Sequence, residues 1–320
     1  MELLGCVSID VDTLSSIYKG KGCRRAGGYT YLELRQGLEN LARFFEGYSI
    51  KTTLFMVGND LLVPASHASL RATVQAGHEV ANHSMTHPQG FRWLTKEQKE
   101  REIADMGDVC QRVLGVKPVG FRSPGWNIDD STISVLVNQH YWYDSSLFPT
   151  YLMPFMKLTH WWSMRRQGKH ERTTMGQLKY MFAPLQPYRT DAVSLARPGG
   201  GDLVEFPLSV TPFLRIPFFA TTLLLSGFDF YEKLYRSIRK RALPIHFQFH
   251  LSDFVDYNTP ELQEQMPVGE KGVYLPQALN VTLQQKWDLF KQMMDLLTSE
   301  YQFFTLRDLS IKMFPEIARQ

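Results

Sequence analysis

Cysteine is scarce in this chain. Cys6, Cys23 and Cys110 are the only three in 320 residues, they are scattered, and they form no CxxC pair. A disulfide framework is therefore not expected. An excess of charge of one sign is also missing: 35 basic residues face 32 acidic ones, with no Lys/Arg block. That balance argues against a nucleic-acid binder. Long apolar runs are absent as well. The nearest approach, PFLRIPFFATTLLLSGF at 212–228, is broken by Arg215 and Pro217 and is too short to span a bilayer. The N-terminal MELLGCVSIDVD has no basic region ahead of a long apolar stretch and meets an acid by position 10. The expectation is no export signal and a reducing, cytoplasmic home, with the cytoplasmic face of the membrane allowed. No internal repeat or low-complexity tract interrupts the chain.

What is present suits a globular protein: 44% of residues are apolar and 21% charged. That is enough to bury a substantial core. Short apolar runs alternate with helical patterns. LGCVSID (4–10) reads as a buried strand, and TYLELRQGLENLARFF follows with Leu34, Leu38, Leu41 and Phe45 on one face, capped by Thr30 with Glu33. KTTLFMVG (51–58), a helix over 66–76 and a strand-like EVANHS (79–84) come next. Thr95 and Gln98 form a capping box that opens a further helix. Then come PVGFRSP (118–124), a helix over 130–139, YWYDSSL and LVEFPL. A helix begun by Asp229 with Glu232, the strand PIHFQFH, a helix from Thr282 with Gln285, and FFTL complete the order. Six or more β-then-α units predict a parallel α/β architecture, with a barrel as one serious candidate. The rhythm breaks at about 151–200, where tryptophans and tyrosines mix with lysines and arginines. This stretch reads as an aromatic, basic insertion within a single domain over 1–320, and about 257–320 as a helical and strand completion.

Four stretches carry groups capable of chemistry. In SIDVDT (8–13), Asp10 and Asp12 fall on one face of a strand. Two carboxylates so placed need a positive partner. In HEVANHSMTH (78–87), His83 and His87 share a face if the segment makes one helical turn. With a nearby aspartate they make a His, His, Asp set suited to a divalent transition metal. In FRSPGWN (121–127), Arg122 stands at a strand end and is expected to hold a carboxylate in a bidentate pair. The backbone N–H of Gly125 or Trp126 is placed to face an oxyanion, and Trp126 to wall the pocket. In LPIHFQFHLSDF (243–254), His246, Gln248 and His250 share one strand face. His250, at the strand end, suits a proton donor, whereas His246, deeper, suits a packed or hydrogen-bonded histidine. Asp253 either holds the His250 ring or caps the turn.

In that order, SIDVDT, TTLFMVG, GHEVANHSMTH, FRSPGWN, YDSSL and HFQFHLSD are similar to the polysaccharide deacetylase superfamily, the NodB-like hydrolases also grouped as carbohydrate esterase family 4. The resemblance covers most of 4–256. It implies a distorted (β/α)7-type barrel and a divalent ion, zinc first, with cobalt, nickel or manganese as alternatives. Carried over, it makes Asp12, His83 and His87 the metal ligands, Asp10 the general base, Arg122 the residue that orients it, and His250 the general acid. Three features depart from the pattern. Val11 splits the usual Asp-Asp pair, no tryptophan follows YDSS, and HLSD replaces the commoner ending.

The resemblance implies removal of an N-acetyl or N-formyl group from an amino sugar. Without an export signal, the expected substrate is a lipid-linked sugar precursor in preference to an extracellular glycan. The insertion and the 212–228 segment suit a peripheral membrane contact. Two other readings compete: an amidohydrolase acting on a small non-carbohydrate amide or ureide, and a non-catalytic glycan- or lipid-binding protein on the same scaffold.

Overall fold

Strand β1 (Leu4–Val11) organises the molecule. Its alternation sends Val7, Ile9 and Val11 outward to the helices, and Cys6, Ser8 and Asp10 inward to the lumen of a curled sheet. Both faces are buried, which is why the segment reads as an almost continuous apolar run. The structure, a computed structural model, describes residues 2–13, 31–166, 176–264 and 281–319.

Seven parallel strands form the sheet in the order β9-β1-β2-β3-β4-β5-β8. Here β2 is Thr53–Met56, β3 Glu79–Asn82, β4 Gly120–Phe121, β5 Tyr143–Asp144, β8 Val204–Glu205 and β9 Ile245–His250. The hairpin β6 (Tyr188–Asp191) and β7 (Ser194–Pro198) adds antiparallel to β8. No ladder joins β8 to β9 among the described residues. Among the described residues the two edges meet beyond β8, where the His246 N–H donates to Ser209 Oγ at 2.8 Å. The result is an open, distorted barrel.

The outer layer is built by amphipathic helices. Helix Leu32–Glu46 buries Leu34, Leu38, Leu41 and Phe45 against Ile9, Phe249 and their neighbours. Its start differs from the sequence expectation. Tyr31 is the N-cap and makes no side-chain cap bond, while Glu33 turns inward to accept from the Tyr257 hydroxyl at 3.0 Å. Thr30 lies outside the described residues. Helices Lys96–Leu114 and Leu283–Thr298 do open on the expected capping boxes, Thr95 with Gln98 and Thr282 with Gln285. Helix Phe228–Arg239 instead takes Gly227 as its N-cap, so Asp229 sits in the first turn, where the helix dipole favours an acid.

The C-terminal segment does two jobs. Strand β10 (Gln302–Phe304) pairs with Leu4–Cys6 along the edge of β1 whose upper half takes β2. Helix Leu306–Met313 then inserts Leu306 and Leu309 among Cys6, Phe55, Ala81, Tyr143 and Phe206, closing the lumen at the end opposite the strand C-termini. The open end carries the strand C-termini, where Asp10, His83, Arg122 and His250 fall. Gly37 admits a close approach there, since a Cβ would come within 2.4 Å of Leu251 in the turn after His250.

Candidate metal centre

Asp12 follows β1 directly and faces two imidazoles. His83 Nε2 lies 3.3 Å and His87 Nε2 3.4 Å from its Oδ1. One ligand atom from each of the three falls within 4.8 Å of the others. Asp12 Oδ1, both ring nitrogens of His87 and His83 Nε2 are buried without a hydrogen-bond partner. Buried polar atoms left unpaired are costly, and here they converge, which fits a cation between them. His83 Nδ1 lies 2.7 Å from the Arg122 carbonyl. Donation there places the proton on Nδ1 and leaves the Nε2 lone pair facing Asp12. Burial alone would raise the Asp12 pKa, but the His87 and His83 imidazoles hold the carboxyl well below its usual range. Burial likewise opposes charge on His83, and the Asp12 carboxylate overrides it and raises that pKa.

The two histidines do not converge through a helical turn. Residues 83–87 form a bent loop in which Ser84 and His87 adopt left-handed backbone conformations, φ 67° and 54°. Local bonds hold that strain: Ser84 N–H to Asn82 Oδ1 at 2.8 Å, His87 N–H to Ser84 Oγ at 3.1 Å, and Thr86 Oγ1 to Glu102 at 2.7 Å.

Asp10 sits one strand pitch deeper and is held on both oxygens. Arg122 donates to Oδ1 at 2.5 Å and Gln248 to Oδ2 at 2.5 Å. The Arg122 contact runs through one nitrogen and is not the bidentate pair the sequence suggested. The remaining guanidinium donors reach Ser8 Oγ, Ser145 Oγ and carbonyl, and His246 Nε2, between 2.8 and 3.1 Å. Phe55 stacks beneath the cation, 4.0 Å from its centre. His246 is the buried, hydrogen-bonded histidine foreseen. Burial and the neighbouring Arg122 charge hold its pKa well below that of a free imidazole. Gln248 is the residue that sequence reasoning passed over. It shares a strand face with His250, and pairing of β9 with β1 sets Gln248 beside Ser8 and His250 beside Asp10.

His250 is half-exposed at the rim, on the same side of the sheet as Asp10. Asp253 caps its turn, accepting the His250 backbone N–H at 2.8 Å. Lys286 clamps the same turn through the Ser252 and Val255 carbonyls, each at 2.8 Å. Across the rim, Pro124–Trp126 is a tight turn with Gly125 at φ 60°. The Trp126 N–H is engaged by the Ser123 carbonyl at 3.0 Å. The Trp126 ring leans on Phe148, with centroids 4.9 Å apart, and on Phe219.

A curled parallel α/β sheet that gathers an Asp-His-His set beside a clamped carboxylate defines the class: an open α/β barrel with a candidate metal centre at its rim. Residues 28–143 match the polysaccharide deacetylase family model. A peptidoglycan deacetylase of Helicobacter pylori is 25% identical over 119 residues, 37% of this chain and 40% of the relative. A peptidoglycan deacetylase-like protein of Gibberella zeae is 28% identical over 148 residues, 44% of this chain and 43% of the relative. The matches thus span less than half the length of these curated relatives. A structure assigned as a polysaccharide deacetylase of Mycobacterium smegmatis shares the fold, with TM-score 0.58 and 15% identity over 96% of this chain and 88% of that one. Over residues 28–143 the chain is therefore similar to the polysaccharide deacetylase family, and its overall fold is that of the Mycobacterium smegmatis structure.

Proposed function

We propose that this protein is a metal-dependent hydrolase that cleaves the N-acetyl or N-formyl amide of an amino sugar. The observation that carries the reading is the convergence of unpaired ligand atoms from Asp12, His83 and His87 next to Asp10. Zinc is the ion the donor set favours, and when bound it supplies Lewis acidity to the scissile carbonyl and to the attacking water.

Asp10 is the general base. Arg122 and Gln248 fix its plane, and each oxygen keeps a second lone pair for the water proton. Water oxygen bonds to the acyl carbon as that proton leaves. The backbone N–H of Gly125 is the donor assigned to the oxyanion, because that of Trp126 is already used. His250, on the strand next to Asp10, protonates the departing amine as the C–N bond breaks, releasing acetate or formate. Trp126 walls the sugar site. A lipid-linked sugar is the favoured substrate, because the Trp126 wall is continuous with a strongly apolar, cationic cap.

The test is metal content per chain on protein purified without a metal-affinity tag, together with acyl release from N-acylated amino sugars. We expect about one equivalent in the parent and Asp10→Asn, and little in His83→Ala. Turnover should fall at least about 100-fold in Asp10→Asn. Parent-like turnover in Asp10→Asn would remove the base assignment, and a metal-free parent after reconstitution would remove the reaction.

A further inference from the structure

The face beside the Trp126 wall exposes an unusual amount of apolar surface. Helix Met153–Arg166 seats Met153 and Met156 in the cluster of Phe148, Leu208, Val210 and Phe219 that also supports Trp126. Its other side presents Phe155, 65% exposed, with Leu158 and Trp161, a stripe at helical spacing. Tyr151 leads into the helix and packs on Phe182, itself 69% exposed, with centroids 5.8 Å apart. Arg215 ties these elements together. It donates to the Met181 and Ala183 carbonyls at 2.8 Å and lies over the Tyr151 ring. Immediately before it, Phe213 and Leu214 are 72% and 68% exposed. Singly exposed apolar residues are ordinary, but a contiguous group of this kind marks a contact surface.

The charges around it identify the partner. Among the described residues, the segments that carry the apolar group, 151–165, Phe182 and 213–215, contribute Lys157, Arg165 and Arg215 and no acid. Arg165 and Arg241 lie over the Trp161 and Phe213 rings, at 5.0 and 4.8 Å from the centroids. Aromatic and aliphatic tips with cations at their bases suit the headgroup boundary of an anionic bilayer. A glycan platform would set polar hydrogen-bonding groups between its rings, whereas Leu152, Leu158 and Leu214 stand there instead. Among the described residues no helix is long and apolar enough to cross a membrane, so the contact is peripheral.

We propose that residues 151–165, Phe182 and 213–215 form a docking surface for an anionic lipid bilayer, which holds the Trp126 side of the rim at the membrane. The surface stands on its own composition and geometry. Only its coupling to a lipid-linked substrate rests on the reaction proposed above.

The experiment is co-sedimentation of the full chain with phosphatidylcholine vesicles, with and without about one-third phosphatidylglycerol. The parent should bind the anionic vesicles and release them as salt rises. Phe155→Ser/Leu158→Ser/Trp161→Ser should bind more than about tenfold more weakly, and Arg165→Glu at least about fivefold. Metal content and hydrolysis of a water-soluble N-acyl sugar should stay at parent level in both variants. No binding by the parent at low salt would overturn the proposal, as would parent-like binding by the triple variant. A dimer that the triple substitution abolishes would also overturn it by assigning the face to a second copy. Failed hydrolysis by the parent with vesicle binding intact would defeat the reaction and leave the surface standing.

Discussion

Arg122 is a fully buried cation with five hydrogen-bond contacts, spread over Asp10, Ser8, Ser145 and His246. Leaving a buried carboxylate without its cation costs about 3–5 kcal/mol. Lysine restores the charge but not the planar fork, so it cannot reach β1, β5 and β9 together. Arg122→Lys should therefore keep its metal and lose stability, and kcat/KM should fall about 100-fold because Asp10 is no longer held in plane. Metal analysis, urea denaturation and steady-state kinetics check the three parts, and a parent-like kcat/KM would free Arg122 from the positioning role. At this scale the residue types were readable from spacing. Asp10, Asp12, His83, His87, Arg122 and His250 all stand at the open rim. The grip of Gln248 on Asp10 was not readable, because it depends on the register of β9 against β1.

Strands β5 and β8 have two paired residues each, and their register sets Asp144 directly beside Glu205 on the outer face. Both carboxyls are fully buried. Burial pushes the Asp144 pKa up to about 6, and burial with the Asp144 charge pushes Glu205 well above the carboxylate range. Arg122 opposes the rise at Glu205, and the carboxylates in turn hold the buried Tyr180 and Tyr188 hydroxyls protonated. Ser146 donates to Asp144 at 2.6 Å and the Leu147 N–H to Glu205 at 3.0 Å, so the pair shapes the loop that carries Ser145 to Arg122. A folded pKa above the unfolded value means the native state binds more protons, so this pair stabilises in acid. That stability is lost as pH rises from about 4 through 6, where Asp144 titrates, and goes on being lost above 6 as Glu205 gives up its proton. Glu205→Gln keeps the Leu147 acceptor and adds a donor toward Asp144. It should raise the melting temperature at pH 8 and flatten its dependence above pH 6, as thermal unfolding across that range will show. A variant less stable at pH 8 would contradict the raised pKa values assigned to this pair. At the element scale the long amphipathic helices and β1 were legible through strong periodicity and two full capping boxes. The two-residue strands β4, β5 and β8 fall within PVGFRSP, YWYDSSL and LVEFPL as read from the sequence, but only the sheet around them sets their extent and pairing.

For the molecule as a whole, closure of the lumen falls to the last helix. Leu306 N–H docks on Thr53 Oγ1 at 2.8 Å, and Arg307 N–H on Glu79, which also accepts from Thr53 and Tyr143. Leu309 lies behind this polar collar, buried among residues contributed by most of the sheet. Leu309→Ala should cost about 3 kcal/mol through lost burial and the cavity left behind. An unchanged urea midpoint would show that the helix is not needed to complete the fold.

The sequence by itself determined the alternation of strands and helices, the parallel α/β class and the chemical identity of the rim residues. These are local matters of periodicity, capping and side-chain type, readable wherever a segment is long enough to show its period. Tertiary structure alone decided which atoms meet. It brought His83 and His87 together through a left-handed loop and not a helical turn, and seated Gln248 on Asp10 through β9 pairing. It also paired Asp144 with Glu205 and placed the C-terminal helix beneath the site. Each depends on register or loop path between residues far apart in the chain, and a one-residue slip would turn every such side chain to the opposite face.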